Sequence, residues 1–424
     1  MRFLIPIFIL FALGVSALAF EKTGTGSGRL DSSFGQGGKL TFPAVPSPST
    51  DMRLSASKIV IQQDGKIIVA GTIDPFLPGV KFVLLLRYDG RGNLDQSFGV
   101  GGVVRTYPGG SARDVTIQPD GKIVVAARHR FIGSTIHRFN PDGTPDESFG
   151  LNGVSLPITL YELSAIRIAG DGKILAAGSR LYPFPSPDSF DFALLRFNSD
   201  GIIDSSFGTY GTVETDIGIN DSANSIRFDG TRIVLGGTVN LTQSGGGDFA
   251  LAKYRSDGRL DRSFGNDGTV ITPLTNAKMH NISIDSHGVI YAAGSSGIAP
   301  NLFTIAKYMS NGSTDDSFGG GAITSASTGG ILITNGLHAF SIVATRRNGI
   351  FAGGLRMGNF LLRKFNEDGS LDSSWGTNGS TDVSFGSTTS GVKSIAVTAR
   401  GDVYAVGTVE ILTTPRIGLA KLSR

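Results

Sequence analysis

The stretch Gly92-Asn93-Leu94-Asp95-Gln96-Ser97-Phe98-Gly99-Val100-Gly101-Gly102 decides the fold, because its core returns along the whole chain. Asp-x-Ser-Phe-Gly stands at Asp31 to Gly35, Asp95 to Gly99, Asp146 to Gly150, Asp204 to Gly208, Asp261 to Gly265 and Asp315 to Gly319, and a seventh copy, Asp372 to Gly376, has Trp375 in place of Phe. Glycine lies three residues before every one of these aspartates, at Gly28, Gly92, Gly143, Gly201, Gly258, Gly312 and Gly369. Successive aspartates are 64, 51, 58, 57, 54 and 57 residues apart, about 57 on average. A period of that length marks a repeat architecture.

Each repeat carries four strand signals. Between the second and third motifs, Asp114 to Gln118 alternates into the turn Pro119-Asp120-Gly121, Lys122 to Ala127 is a β-branched run, Thr135 to Asn140 leads to Asp142-Gly143, and Val154 to Leu156 follows the Ser-Phe-Gly segment. We name these strands A, B, C and D. Asp-Gly between alternating runs signals a hairpin, since glycine supplies the positive φ of the turn. The A to B turn recurs as Asp64-Gly65, Asp120-Gly121, Asp171-Gly172 and Asp229-Gly230, then as His287-Gly288, Asn348-Gly349 and Arg400-Gly401.

Four antiparallel strands per unit match a propeller blade, whereas a β-helix coil needs a shorter repeat. The chain opens on a lone D strand near Lys39 to Phe42 and closes on A, B and C strands at Ser394 to Thr398, Val403 to Thr408 and Ile417 to Leu422. Together these fragments make one blade. The predicted fold is all-β: a seven-bladed propeller of four-stranded antiparallel blades, closed by the N-terminal strand, over residues 29–424.

Composition agrees. Glycine is 60 of 424 residues, about 14%, which argues against a helical chain because each helical glycine costs about 1 kcal/mol. Hydrophobic residues at 40% and charged ones at 17% argue against disorder. Without cysteine there is no disulfide framework or thiolate chemistry, and 38 bases against 35 acids give no case for nucleic acid. Met1-Arg2, the apolar run Phe3 to Val15 and Ala17-Leu18-Ala19 read as a signal peptide over residues 1–19, too short to span a bilayer. Residues 20–28 are then a flexible lead-in, and the expected product is exported to the periplasm, cell surface or medium, with no membrane span after cleavage.

The string G-x-L-D-x-S-F-G-x-x-G, preceded by Q-P-D-G-K-I-V-V-A, resembles the delta-60 repeat family of bacterial exported proteins. The resemblance implies a propeller-like repeat and no particular activity. Departures from the pattern are Trp375, Ala322 in a glycine position, and the three altered turns.

Five residues before each motif glycine stands a base: Arg87, Arg138, Arg196, Lys253, Lys307 and Lys364, with Lys421 as the seventh, facing Asp31. A structural pair between each base and the motif aspartate that follows (Asp95, Asp146, Asp204, Asp261, Asp315, Asp372) is expected. A calcium loop competes, since Asn140-x-Asp142-Gly143-x-x-Asp146 places oxygens at alternate positions, but its first ligand position falls on Arg138. No metal or cofactor is expected. The motif aromatics are read as wedges between blades, and glycines ending strand B, such as Gly237 and Gly294, as places of close sheet approach.

Catalytic motifs such as G-x-S-x-G, H-E-x-x-H and the Walker loop do not occur, and the five histidines are scattered. The A to B and C to D turns, which repeat, share one face; the B to C and D to A loops, which vary, share the other, where a rigid scaffold usually carries function. Candidate ligand contacts there are Phe76, Tyr107, Arg128, His129, Arg130, Phe131, Tyr182, Phe184 and Phe190. The expectation is a monomeric binding module for a protein or glycan. The alternative is an extracellular enzyme acting on a polysaccharide or other polymer from a central pocket.

Overall fold

The computed structural model describes residues 27–42, 52–75, 80–106, 109–130, 132–182, 190–242, 246–297, 302–319, 330–387, 389–411 and 414–424. Residues 1–19, read above as a signal peptide, most of residues 20–28 and Ala322 lie outside these. Among the described residues are twenty-five strands and no helix.

Strands Arg53–Ile61, Ile67–Asp74, Phe82–Tyr88 and Val103–Thr106 pair in that order, all antiparallel. Local chemistry sets the first hairpin. Gly65, at φ 83°, donates its amide to Gln62 O at 3.0 Å, and the Asp64 carboxylate accepts the Lys66 amide at 3.0 Å. The turn is thereby closed before the β-branched run from Ile67 begins. Tyr161–Ile168, Ile174–Leu181, Phe190–Phe197 and Thr212–Thr215 repeat the order.

Two departures correct the sequence reading. Ser111–Ile117, Ile123–His129 and Gly133–Phe139 form a three-stranded sheet, and the expected D strand at Val154 to Leu156 is reduced to isolated bridges, His137 to Val154 and Ser134 to Ile158. Pro157, which has no N–H to give a ladder, interrupts that edge. Elsewhere D runs directly into the next A: Thr269–Ile284 pairs first with Gly247–Tyr254 and then with Ile290–Ser296, and Ile331–Thr345 behaves likewise. Asn276 (φ 51°) and His338 (φ 48°) bend these long strands, so ten strands join one sheet where separate sheets were expected.

At the chain ends, Lys39–Phe42 pairs antiparallel with Thr414–Leu422, with Lys39 opposite Ala420. No sheet closes on itself among the described residues. Instead the sheets pack face to face. Ile68, Ala70, Val83 and Leu85 of one meet Val115, Ile123 and Val125 of the next, and Tyr404, Val406 and Leu419 from the end of the chain meet Leu54, Ile67 and Val69 from its start. Each such side chain contributes roughly 1.5–3 kcal/mol on burial. Every A strand touches the A strand of the following unit, and Ser390–Val397 touches Arg53–Ile61. The result is a propeller-like repeat domain of antiparallel sheets.

Candidate functional site

The repeated charges form clamps. Arg87, Arg138 and Arg196 place Nε 2.8, 2.6 and 2.7 Å from Oδ2 of Asp95, Asp146 and Asp204, and Lys307, Lys364 and Lys421 place Nζ 2.8, 2.8 and 2.7 Å from Asp315, Asp372 and Asp31. The other oxygen of each aspartate accepts from the motif serine, as Ser148 Oγ does to Asp146 at 2.7 Å. One unit departs. Lys253 reaches Asp229 at 2.7 Å, not Asp261, which is taken by Arg232 at 2.7 Å. Arg232 stands where strand B begins, close enough to occupy the carboxylate first.

That position is a second base which the spacing did not single out. Lys66, Lys122 and Lys173, from the D-G-K turns, approach Asp95, Asp146 and Asp204 at 2.9, 2.8 and 2.5 Å. Burial alone would raise these carboxyls, but hydrogen bonds from the lysine and serine, with the arginine charge, hold them far below the usual range. The strand C base also reaches forward. Arg196 donates to Ser256 O at 3.0 Å, Lys253 to Ser310 O at 2.9 Å and Lys307 to Glu367 O at 2.9 Å, each in the C to D turn of the next unit. In the stretch weighed above as a calcium loop, Asp142 Oδ1 accepts from the Thr144 amide and hydroxyl at 2.9 and 2.7 Å, so that oxygen serves the turn itself.

The motif aromatic completes the joint. Phe149, fully buried, lies under the Arg138 guanidinium at 4.6 Å and against Gly201 of the next unit, whose φ of +85° and lack of Cβ leave room for the ring. Gly150 N donates to Asp200 O at 2.8 Å across the same joint. Trp375 repeats this contact with Gly28, and Gly376 N donates to Ser27 O at 2.9 Å. The last motif thus meets the first.

At the inner strands every unit carries a bulge. Pairing between A and B skips Ser57, Arg113, Ser164, Asn224, His280, Phe340 and Lys393, one in each unit, and the sixth unit skips His338 as well. The first seven line one cavity of about 670 Å³. It opens toward the ends of the B strands at Thr72, Asp74 and Thr408 and the starts of the C strands at Lys81 and Pro415, the face of the variable loops. A bulge re-aims a side chain at the cost of a ladder bond. Here the loose amide is taken up by a hydroxyl of the preceding unit: Ala56 N, Ala112 N, Leu163 N and Met279 N donate to Thr408, Thr72, Ser134 and Thr238 at 3.2, 3.1, 2.9 and 3.0 Å. The B-strand glycines serve the same feature. A Cβ at Gly237 or Gly294 would strike the carbonyl of Ser222 or Lys278 just before the bulge, as well as Phe192 or Phe249 of the preceding unit.

Of the residues read as ligand contacts, Phe76, Tyr107, Phe131 and Phe184 lie outside the described residues. Arg128 pairs with Glu162, which lines a second cavity of about 640 Å³ with Phe190, Arg113, Ser164 and Asn224. Tyr182 donates to Asp191 at 2.6 Å, and Arg180 lies over Tyr161 and Tyr182 at 4.9 and 5.5 Å. Arg128, Tyr182 and Phe190 therefore gather beside the third unit. His129 faces inward instead: its Nε2 and that of His137 share the Thr135 hydroxyl at 2.9 and 3.0 Å, and burial, with the neighbouring ring, pushes His137 down to about 4. Arg130 follows His129 at the turn. Asp191, Asp216 and Asp221 converge within 4.8 Å. Burial and the two neighbouring carboxylates push Asp221 up, so a shared proton can relieve their repulsion.

Four stretches, residues 62–98, 118–149, 169–207 and 232–264, match the family described as a domain of unknown function (DUF5122) beta-propeller. The chain is similar to that repeat family. Among solved structures it is similar to the acylaminoacyl peptidase of Pyrococcus horikoshii (10% identity, TM-score 0.46, 86% of this chain and 51% of that one). It is also similar to the beta-propeller domain of the Trilobed protease from Pyrococcus furiosus (9%, 0.46, 87% and 95%) and to Penicillium chrysogenum alpha-L-arabinanase (12%, 0.44, 91% and 98%). The chain spans about half the length of the peptidase. No curated protein matches it. Likeness at these values carries nothing about activity.

Proposed function

We propose that this chain is an exported, non-enzymatic binding protein: a monomeric seven-bladed propeller, closed by the strand Lys39–Phe42, that holds a protein or glycan on its variable-loop face. The observation that carries the binding reading is the bulge in every A strand, which sends seven different side chains into one cavity opening on that face. A repeat maintained for stability alone gains nothing from a ladder break in every unit. Ring closure is supported by the pairing of Lys39–Phe42 with Thr414–Leu422 and by the seat of Trp375 on Gly28. Export is supported by the pattern of residues 1–19. In the cavity the carboxylates Asp74 and Asp114 are each engaged by cations, at 3.1 Å by Lys81 and at 2.7 Å by Arg167, and His280 has histidine, phenylalanine and lysine neighbours. That arrangement favours holding a ligand over acid–base chemistry.

Glycan and protein arrays probed with the chain lacking residues 1–19 test this. We expect retention of one ligand class and at least a tenfold loss when Arg130, Phe131, Tyr182 and Phe184 are replaced by alanine. Undiminished binding by that variant would overturn the loop surface, and turnover in an unbiased hydrolase screen would overturn the class.

A further inference from the structure

The central cavity holds more positive charge than its own carboxylates neutralise. Leaving aside Arg53, lysines and arginines lining it number five, against two aspartates, whereas the whole chain is balanced to within +3. Asp74 is taken by Lys81 at 3.1 Å. Asp114, fully buried, accepts the Ile166 amide at 3.0 Å and Arg167 Nη1 at 2.7 Å, with Lys58 at 3.8 Å. One carboxylate thus serves two cations, and a third, Arg227, lies beside them, donating only to neutral groups: Ser225 Oγ at 3.3 Å, Ile226 O at 2.8 Å and Asn281 Oδ1 at 3.5 Å. Nearer the mouth, Arg113 and Lys393 come from bulges and Lys278 stands beside them; no carboxylate of the described residues lies within 4 Å of any of the three, and Lys393 Nζ sits 4.1 Å over the Phe340 ring. In the clamps outside the cavity, by contrast, every base reaches an aspartate, even where two bases share one.

Burial and mutual repulsion show in the same groups. Lys58 is pushed down to about 8 by burial, with Arg167 and Arg227 adding to it against the pull of Asp114, and Lys393 is pushed down by burial and Lys278. Cations held in a cleft with low-dielectric walls focus a positive potential and concentrate anions there. Bulges fix their direction in advance, which lowers the ordering cost of binding.

We propose that the ligand seated in this cavity is a polyvalent oxyanion, carboxylate or phosphate, entering from the variable-loop face and contacted by Arg113 and Lys393, over a floor made by Lys58, Asp114 and Arg167. This rests on the reading of the cavity as the binding site and names the ligand's chemistry. A single negative charge would leave most of the cations unrelieved; two or more match Arg113, Lys278 and Lys393. Arginine adds forked donors that fit either oxyanion.

The test is calorimetric titration of the chain lacking residues 1–19 with citrate and with pyrophosphate, against chloride at equal ionic strength. At least one polyanion should bind tenfold or more tightly than chloride, and the tighter of the two identifies the source of the charge. In Arg113→Gln/Lys393→Gln its affinity should fall at least tenfold, with Arg259→Gln, at an exposed base, unchanged. Should the double variant fail to fold, the wild-type series from acetate to citrate decides, because affinity must climb with ligand charge. No binding beyond chloride, or equal affinity in the double variant, overturns the proposal. If array binding persists while no polyanion binds, the anion is wrong and the binding role stands; if no array ligand is retained and no polyanion binds, the role itself falls.

Discussion

Removing residues 20–42 from the chain expressed without residues 1–19 should lower the melting temperature by 10 °C or more, and the whole domain should soften together. The deletion takes away Leu30, Phe34 and Phe42, which are 3%, 0% and 6% exposed, and at roughly 1.5–3 kcal/mol each their burial approaches the entire stability of an ordinary domain. It also takes the strand opposite Ile417 to Ala420, the Asp31 partner of Lys421, and the Ser27 and Gly28 seat of Trp375. Three kinds of contact vanish from both neighbours of the gap, so the loss should not stay local. A peptide of residues 27–42 added in trans should restore part of the stability. Melting within about 2 °C of the longer chain, a shift worth no more than about 1 kcal/mol, would show that the domain does not depend on its first strand.

Asp146→Ala should cost about 3–5 kcal/mol, the range for breaking a buried pair from one side. The aspartate and Arg138 are both 5% exposed, so the variant strands a guanidinium in the joint between units, and it also frees Lys122. Asp372→Ala, whose side chain is 18% exposed and whose single lysine can turn to water, should cost only about 1–2 kcal/mol. The pH dependence has a definite sign. Since the folded Asp146 carboxyl lies well below the ordinary 3.8, its contribution is intact above that value and is lost as pH falls beneath it. Denaturant midpoints of the two variants check the ranking; equal, small effects would make the clamp a surface ornament.

The turns, the strands and most of the clamps were legible because glycine at positive φ, β-branched runs and a fixed base-to-acid offset each have one physical meaning. Lys253 was misassigned because offset alone ignores reach: Arg232 starts strand B beside Asp261, and the sequence shows no distance between them. Residue type hid the bulges, since serine, arginine, asparagine, histidine, phenylalanine and lysine share nothing. Their trace lies in spacing. Buried residues on one face of a strand fall an even number apart, yet Ala56 and Ile59, Ala112 and Val115, Ala223 and Ile226, and Val392 and Ile395 are all buried and three apart. The excess cavity charge was illegible for another reason: Lys58, Arg113, Arg167, Arg227 and Lys393 are scattered over 335 residues and meet only when the strands gather.

Hydrogen exchange on the chain with and without its strongest array ligand tests the binding account most directly. Protection should appear in the bulged segments 55–58, 111–114 and 390–394, around Asp74 and Lys81, which line the cavity with them, and in the variable connections 128–130, 156–161 and 216–222. Protection confined to the opposite face, at the Asp-Gly turns around residues 64, 120 and 171 and the motif turns around 95, 146 and 204, would contradict it.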